Sequence, residues 1–170
     1  YPHRNVIPIV APWNKIGRKT ISVNPDKIVG IVFTDKKDSP ADVTDPDEKT
    51  VAIAAHILNF FENEVQLGHL TDRLQPLQVG IGKVANAVLT GFKTSNFYDL
   101  TMFSEVLQDS TFDLIDAGKL SFASASSITV SENCYDRVFN NLQKYRDKIV
   151  LRPQNISNTP GLIRRLGIIA

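Results

Sequence analysis

The chain has 170 residues, of which 42% are hydrophobic and 22% are charged, as is typical of a soluble globular domain. The net charge of +1 gives no general attraction to nucleic acid or to an anionic membrane, and no apolar run is long enough to span a bilayer. A single cysteine, Cys134, excludes an intrachain disulfide and favours a reducing compartment.

The first predicted elements lie between residues 27 and 68. The β-branched run at 27–33 predicts a buried strand, and the polar residues 34–45 predict an exposed connection. A helix then begins, with Asp45 as the expected N-cap and Pro46 at the first helical position. It is expected to end at Gly68, and its wide apolar face predicts packing against a sheet.

Strands and helices alternate through the rest of the chain. Strands are predicted at 77–79, 100–103, 120–125 and 148–151, and helices at 84–92, 111–117, 131–145 and 162–166. This alternation predicts an α/β fold with a mostly parallel sheet and flanking helices.

The most informative stretch runs from Gly80 to Glu105. Gly80 and Gly82 separate a short strand from a helix, where they allow a ligand to approach the backbone closely. Glu105 follows the next strand. Because ligands gather at the carboxyl ends of parallel strands, we expect the glycine bend and this carboxylate to face one crevice.

Three interpretations of this pattern remain open from the residues alone. Gly80, Gly82 and Ala85 match the dinucleotide fingerprint G-x-G-x-x-A, in which Glu105 would bind a ribose and the domain would bind NAD. In the second interpretation Glu105 is a catalytic nucleophile and the glycine bend supplies an oxyanion donor. In the third, the bend is structural and the glutamate is merely solvated.

Three blocks in this order resemble the acetyl-CoA hydrolase/CoA-transferase family. They are LQVGIGKVANAVL at 77–89, FSEVLQD at 103–109, and IVLRPQNISN at 149–158 followed by LIRRLG at 162–167. The resemblance implies a CoA-transferase-like fold and an enzyme of acetate and acetyl-CoA metabolism. Its substrates would be acetyl-CoA or another short acyl-CoA, with acetate or succinate as the carboxylate.

The resemblance also implies roles for individual residues. Glu105 would form a glutamyl-CoA thioester, and the backbone N–H of Ile81 would be an oxyanion donor. The residues expected to contact coenzyme A are Gly80, Ile81, Gly82, Lys83 and Val84. One departure is Ser110, which stands where relatives usually have Gly, and which is expected to affect the turn after Glu105.

The resemblance extends to domain organisation and partners. The chain starts at Tyr1 and ends in an apolar run, so we expect a piece of a longer protein. Residues 1–29 would connect from a preceding domain, and 30–170 would form the N-terminal part of the second CoA-transferase domain, truncated at its C-terminus. A mitochondrial or cytoplasmic location and a homo-oligomer are compatible with this assignment. No metal is expected, because H-E-x-x-H and C-x-x-C are absent.

Overall fold

A computed structural model of the protein describes residues 24–36 and 46–166. The α-helices are α1 (Glu48–Gln66), α2 (Lys83–Phe92), α3 (Asp109–Asp116), α4 (Glu132–Phe139), α5 (Leu142–Tyr145), α6 (Gln154–Ser157) and α7 (Pro160–Leu166). The β-strands are β1 (Leu100–Phe103), β2 (Val106–Leu107), β3 (Leu120–Ala125), β4 (Ser127–Ile128) and β5 (Ile149–Leu151).

The main sheet is parallel and its strands lie side by side in the order β1-β3-β5. Phe103 pairs with Ser124, and Ala125 pairs with Leu151, so the three strands end at the same edge. A parallel bridge from Leu77 to Met102 extends the sheet beyond β1. A second, two-stranded parallel sheet is formed by β2 and β4. The predicted α/β fold with a parallel sheet and flanking helices is confirmed.

Helices cover both faces of the main sheet. On one face the large core includes Leu100 and Met102 of β1 together with Leu89, Phe112 and Val138 of α2, α3 and α4. On the other face, Phe103, Phe122 and Val150 form a smaller cluster that is covered by α6 and α7 through Ile156, Leu162 and Ile163. Leu100, Met102 and Phe112 are fully buried, so β1 is fixed firmly below the edge that carries Glu105.

Helix α1 is bounded by clear capping interactions at both ends. Its N-cap is Asp47, whose carboxylate accepts a 2.9 Å hydrogen bond from Thr50 N–H; the predicted cap, Asp45, lies outside the described residues. At the other end Gly68 has φ 77°, and the N–H groups of Gly68 and His69 donate to the carbonyls of Val65 and Glu64. This Schellman motif confirms the predicted end of the helix.

The main partner of α1 is helix α2, and not the sheet as predicted. Phe61 of α1 lies against Phe92 of α2, with ring centroids 6.0 Å apart, and both contact Phe97. Val51 and Phe60, on other parts of the α1 surface, are exposed. The wide apolar face is therefore only partly covered by the described residues.

The buried strand predicted at 27–33 is wrong. Pro25–Lys27 forms a short 3-10 helix, and residues 28–36 have no regular secondary structure. Val29, Val32 and Phe33 are almost fully exposed. A β-branched run forms a strand only when a neighbouring strand supplies hydrogen bonds, and within the described residues none pairs with this segment.

The helix predicted at 131–145 is divided into α4 and α5. Ser131 is the N-cap, as predicted, but the helix stops at Asn140. The side-chain amide of Asn141 donates to the carbonyl of Arg137 at 3.0 Å, and so occupies the acceptor that the backbone N–H of Asn141 would use in a continuous helix.

No helix among the described residues is both long enough and apolar enough to cross a membrane.

Candidate active site

The glycine bend leads directly into helix α2. Gly82 is the N-cap and has φ 145°, a conformation that residues with a side chain rarely adopt. Its carbonyl accepts the first hydrogen bond of the helix, from Asn86 N–H, at 3.0 Å. Because glycine offers no capping side chain, the N–H groups of the first turn are left for a ligand or for water.

Glu105 lies at the edge where the three strands of the main sheet end. Its side chain is exposed, and one carboxylate oxygen is 3.4 Å from the amide nitrogen of Gln154, just after β5. Its backbone carbonyl accepts hydrogen bonds from the N–H groups of Ser126 (2.8 Å) and Ser127 (3.2 Å), which follow β3. The backbone of Glu105 is therefore held by the sheet edge while its carboxylate faces solvent.

Two buried side chains join the glycine bend to the segment that carries Glu105. The hydroxyl of Ser104 donates to the carbonyl of Val79 at 2.8 Å and lies 3.4 Å from Val79 N–H. The side-chain amide of Gln108 donates to the carbonyl of Gly80 at 2.9 Å. These contacts place the beginning of the bend directly beside the residues on either side of Glu105.

A pocket of about 640 Å³ lies between α1, the glycine bend and α2. All five residues expected to contact coenzyme A line it: Gly80, Ile81, Gly82, Lys83 and Val84. Its walls are mostly apolar and include Ile57 and Phe61 of α1 and Phe92 of α2. Glu105 is not among the lining residues, but Ser104 and Gln108, close to it in the sequence, are hydrogen-bonded to the bend that borders the pocket.

Lys83 brings a positive charge to the start of α2. Its side chain is exposed. Hydrogen bonds from the backbone and side chain of Thr50 lower the pKa of Asp47, and the Lys83 ammonium adds to this effect by its charge.

The described residues contain no cluster of three or more His, Cys, Asp or Glu side chains suited to hold a metal ion.

The polar side chains around Glu105 were not predicted from the sequence. Ser104 and Gln108 are 2% and 6% exposed, which is unusual for such residues unless they are hydrogen-bonded. A signal was present, because Ser104 directly follows the apolar pair Met102 and Phe103, and Gln108 directly follows the apolar pair Val106 and Leu107. Ser110, which was expected to affect the turn after Glu105, lies in the first turn of α3 with a buried side chain.

The chain is closely similar to fungal proteins named acetyl-CoA hydrolase. It is 45% identical over 168 residues to the protein of Neurospora crassa, 44% over 169 residues to that of Schizosaccharomyces pombe and 43% over 169 residues to that of Saccharomyces cerevisiae. Each alignment covers 99% of this chain and 32% of the relative, so the chain spans about a third of the length of these proteins. No family model matches the chain.

Two solved structures share the fold. RipA from Yersinia pestis superposes with a TM-score of 0.58 and 19% identity, over 77% of this chain and 28% of RipA. A point mutant of RipA gives a TM-score of 0.55, also at 19% identity, over 75% of this chain and 27% of the mutant chain. The resemblance predicted from the three sequence blocks is confirmed by the fungal relatives: along nearly its whole length, this chain is a homologue of the acetyl-CoA hydrolases.

Proposed function

We propose that the protein containing this chain hydrolyses acyl-CoA thioesters or transfers their CoA to a carboxylate, with Glu105 as the nucleophile. The observation that carries the proposal is the position of Glu105. Its carboxylate is exposed at the strand edge, and its neighbours are hydrogen-bonded to a glycine bend that precedes a helix. The fungal relatives support acetyl-CoA as the substrate through their name.

The chemistry begins with an ionised carboxylate, which needs no general base to attack. A Glu105 oxygen would bond to the thioester carbon and the C–S bond would break, giving an acyl-glutamyl anhydride and CoA thiolate. The thiolate would then attack the glutamyl carbonyl, releasing the acyl group as a carboxylate and leaving a glutamyl-CoA thioester. Acetate or succinate would reverse these steps and depart as acyl-CoA, whereas water would complete a hydrolysis.

Each carbonyl addition places negative charge on an oxygen. The N–H of Ile81 has no hydrogen-bond acceptor within the described part of the chain, so it is free to stabilise that charge. A positioned donor of this kind is typically worth about 3–4 kcal/mol in the transition state. Ile81 itself is exposed, so a substrate can reach its backbone.

Coenzyme A would bind at the bend and at the start of α2. Gly80, Ile81, Gly82, Lys83 and Val84 line the pocket, whose apolar walls suit the uncharged arm of the molecule. The exposed Lys83 and the uncapped N–H groups of α2 carry the positive charge that its phosphates need.

The rest of the protein would complete the site. The relatives are about three times as long as this chain, which suits the assignment of residues 1–29 to a connection from a preceding domain and 30–170 to the first part of the second CoA-transferase domain. A homo-oligomer and a mitochondrial or cytoplasmic location belong to the same proposal.

A trapping experiment tests the role of Glu105. The full-length protein is incubated with acetyl-CoA and treated with borohydride or hydroxylamine, and the modified residue is mapped by mass spectrometry. We expect modification at Glu105, and loss of turnover in Glu105→Ala. Glu132→Ala is the matched control, because Glu132 is also exposed but lies at the start of α4.

Two results would contradict the proposal. One is an unmodified Glu105 combined with full acyl-transfer activity in Glu105→Ala. The other is binding of NAD, detected by calorimetry and lost in a Glu105→Ala variant, without any acyl-CoA turnover. The second result would favour the dinucleotide interpretation, in which the same glycine bend contacts a pyrophosphate.

A further inference from the structure

We propose that Gln108 is a positioning residue that sets the direction of the Ile81 N–H. Its side-chain amide donates to the carbonyl of Gly80, which belongs to the same peptide group as that N–H. The inference rests on the proposed function, in which this N–H stabilises the oxyanion. It adds a residue that does not touch the substrate but determines where the donor points.

The geometry of the peptide group links the two atoms. A trans peptide is planar, so its C=O and N–H point in opposite directions. When the carbonyl of Gly80 is held by Gln108 at 2.9 Å, the N–H of Ile81 must point away from Gln108. Rotation of this plane would turn the donor away from its working direction without moving any side chain of the site.

The bend needs such a constraint, because its own sequence provides little. Gly80 and Gly82 lack side chains, and no atom outside the immediate neighbours lies within 4 Å of where their Cβ atoms would be. Gly80 and Ile81 are both exposed. Glycine populates many backbone conformations at similar free energy, so a single strong hydrogen bond can decide which orientation is occupied.

Gln108 is itself held rigidly. It is 6% exposed, and its backbone N–H donates to the hydroxyl of Thr111 at 3.3 Å. Its carbonyl accepts from Thr111 N–H at 2.9 Å, and the preceding residue, Leu107, is fully buried. The amide therefore projects from the fixed start of α3, as expected for a group that must orient another.

Ser104 holds the other side of the same segment, through its contacts with both backbone groups of Val79. Ser104 and Gln108 flank Glu105 in the sequence, one residue before it and three after it. The carboxylate and the bend are thus joined through two side chains on one short stretch of chain. Loss of the Gln108 contact would leave Val79 in place but release the Gly80–Ile81 peptide, which makes Gln108 the more specific point to perturb.

Three variants of the full-length protein test the proposal. Gln108→Met keeps the approximate size of the side chain and removes its donor. Gln108→Glu introduces a group that donates only when it is protonated. Ser110→Ala is the matched control, because the hydroxyl of Ser110 is buried in the first turn of α3 and has no hydrogen-bond partner among the residues that the structure describes.

We expect Gln108→Met to lower kcat for acetyl-CoA by about 10–100-fold with little change in KM, since complete loss of an oxyanion donor costs about 100–1,000-fold. Ser110→Ala should match the parent. For Gln108→Glu, activity relative to the parent at the same pH should rise as the pH falls through the pKa of the new carboxyl group. A merely structural role for Gln108 would not produce this pH dependence.

Each outcome decides one question. If Glu105 is modified in the parent but Gln108→Met retains the parental kcat, or loses activity through KM alone, the positioning role is overturned and the proposed function stands. If Glu105 is not modified in the parent, both fail. Should Gln108→Met not fold, as judged by circular dichroism, the Gln108→Glu pH series decides: a ratio to the parent that is flat with pH overturns the inference.

Discussion

Gly91 of α2 leaves no free space for a side chain beside Leu58 of α1, and the substitution Gly91→Ala should reveal this. A Cβ at Gly91 would lie 2.4 Å from Cδ1 of Leu58 and 3.6 Å from its Cγ. Real carbon atoms do not approach so closely, so the end of the Leu58 side chain must move. Leu58 is partly buried against the main core, which limits where it can go.

Two opposing effects determine the change in the free energy of unfolding. Alanine is favoured over glycine in a helix by up to about 1 kcal/mol, and less near the end of the helix, where Gly91 lies. Displacing a packed side chain costs roughly 1–3 kcal/mol. Gly91→Ala should therefore destabilise the protein by about 1 kcal/mol. In a Leu58→Ala background the obstacle is gone, and the same substitution should stabilise it by about 0.5–1 kcal/mol.

Urea unfolding of the parent, both single variants and the double variant measures this coupling. Gly161→Ala serves as the control, because Gly161 is also helical but no atom lies within 4 Å of its would-be Cβ. It should be neutral or slightly stabilising in either background. The reasoning is refuted if Gly91→Ala stabilises the protein while Leu58 is present, or if the two substitutions are additive.

Two further predictions concern the α3–α4–α5 side of the core. Burial raises the pKa of Asp116, but hydrogen bonds from Lys144 and Tyr145 outweigh it and lower the pKa overall. Asp116→Asn should therefore lower the free energy of unfolding, measured by urea titration, by about 1 kcal/mol at neutral pH. The difference between parent and variant should disappear as the pH falls below about 4 and then through the pKa of Asp116 in the folded state, where this carboxyl group becomes protonated. Burial raises the pKa of the Cys134 thiol, despite a hydrogen bond from Arg137. Iodoacetamide at pH 8 should thus leave the folded protein unmodified and alkylate it in urea; rapid native labelling would contradict this.

The elements that sequence analysis predicted well are those defined by local signals. The strand at 100–103 and the strand at 120–125 have their predicted bounds, because each stretch lies between polar residues, Asp99 and Ser104 for the first and Lys119 and Ser126 for the second. Gly118, with φ 71°, ends α3 as expected. The two-residue strands β2 and β4 were not predicted, because two residues carry no periodicity.

The remaining errors depend on information that is not local. The 27–33 segment has the composition of a strand, but a strand requires a partner, and its composition cannot say where one lies. Asn141 breaks the predicted helix through one side-chain contact with Arg137. At the site, the glycine bend and Glu105 could be selected from their types and order. The contacts from Ser104 and Gln108 that join them could not, because they depend on the register of the strands.

The order of the parallel strands bears on how the chain assembles. The strands β1, β3 and β5 lie side by side in the order in which they occur along the chain, and only one or two short helices separate each strand from the next of the three. The edge that carries Glu105 can therefore be built progressively during synthesis, starting from β1, without waiting for distant parts of the polypeptide. Glu105, which directly follows β1 and Ser104, would be synthesised before β3 and β5, the strands that complete the edge beside it.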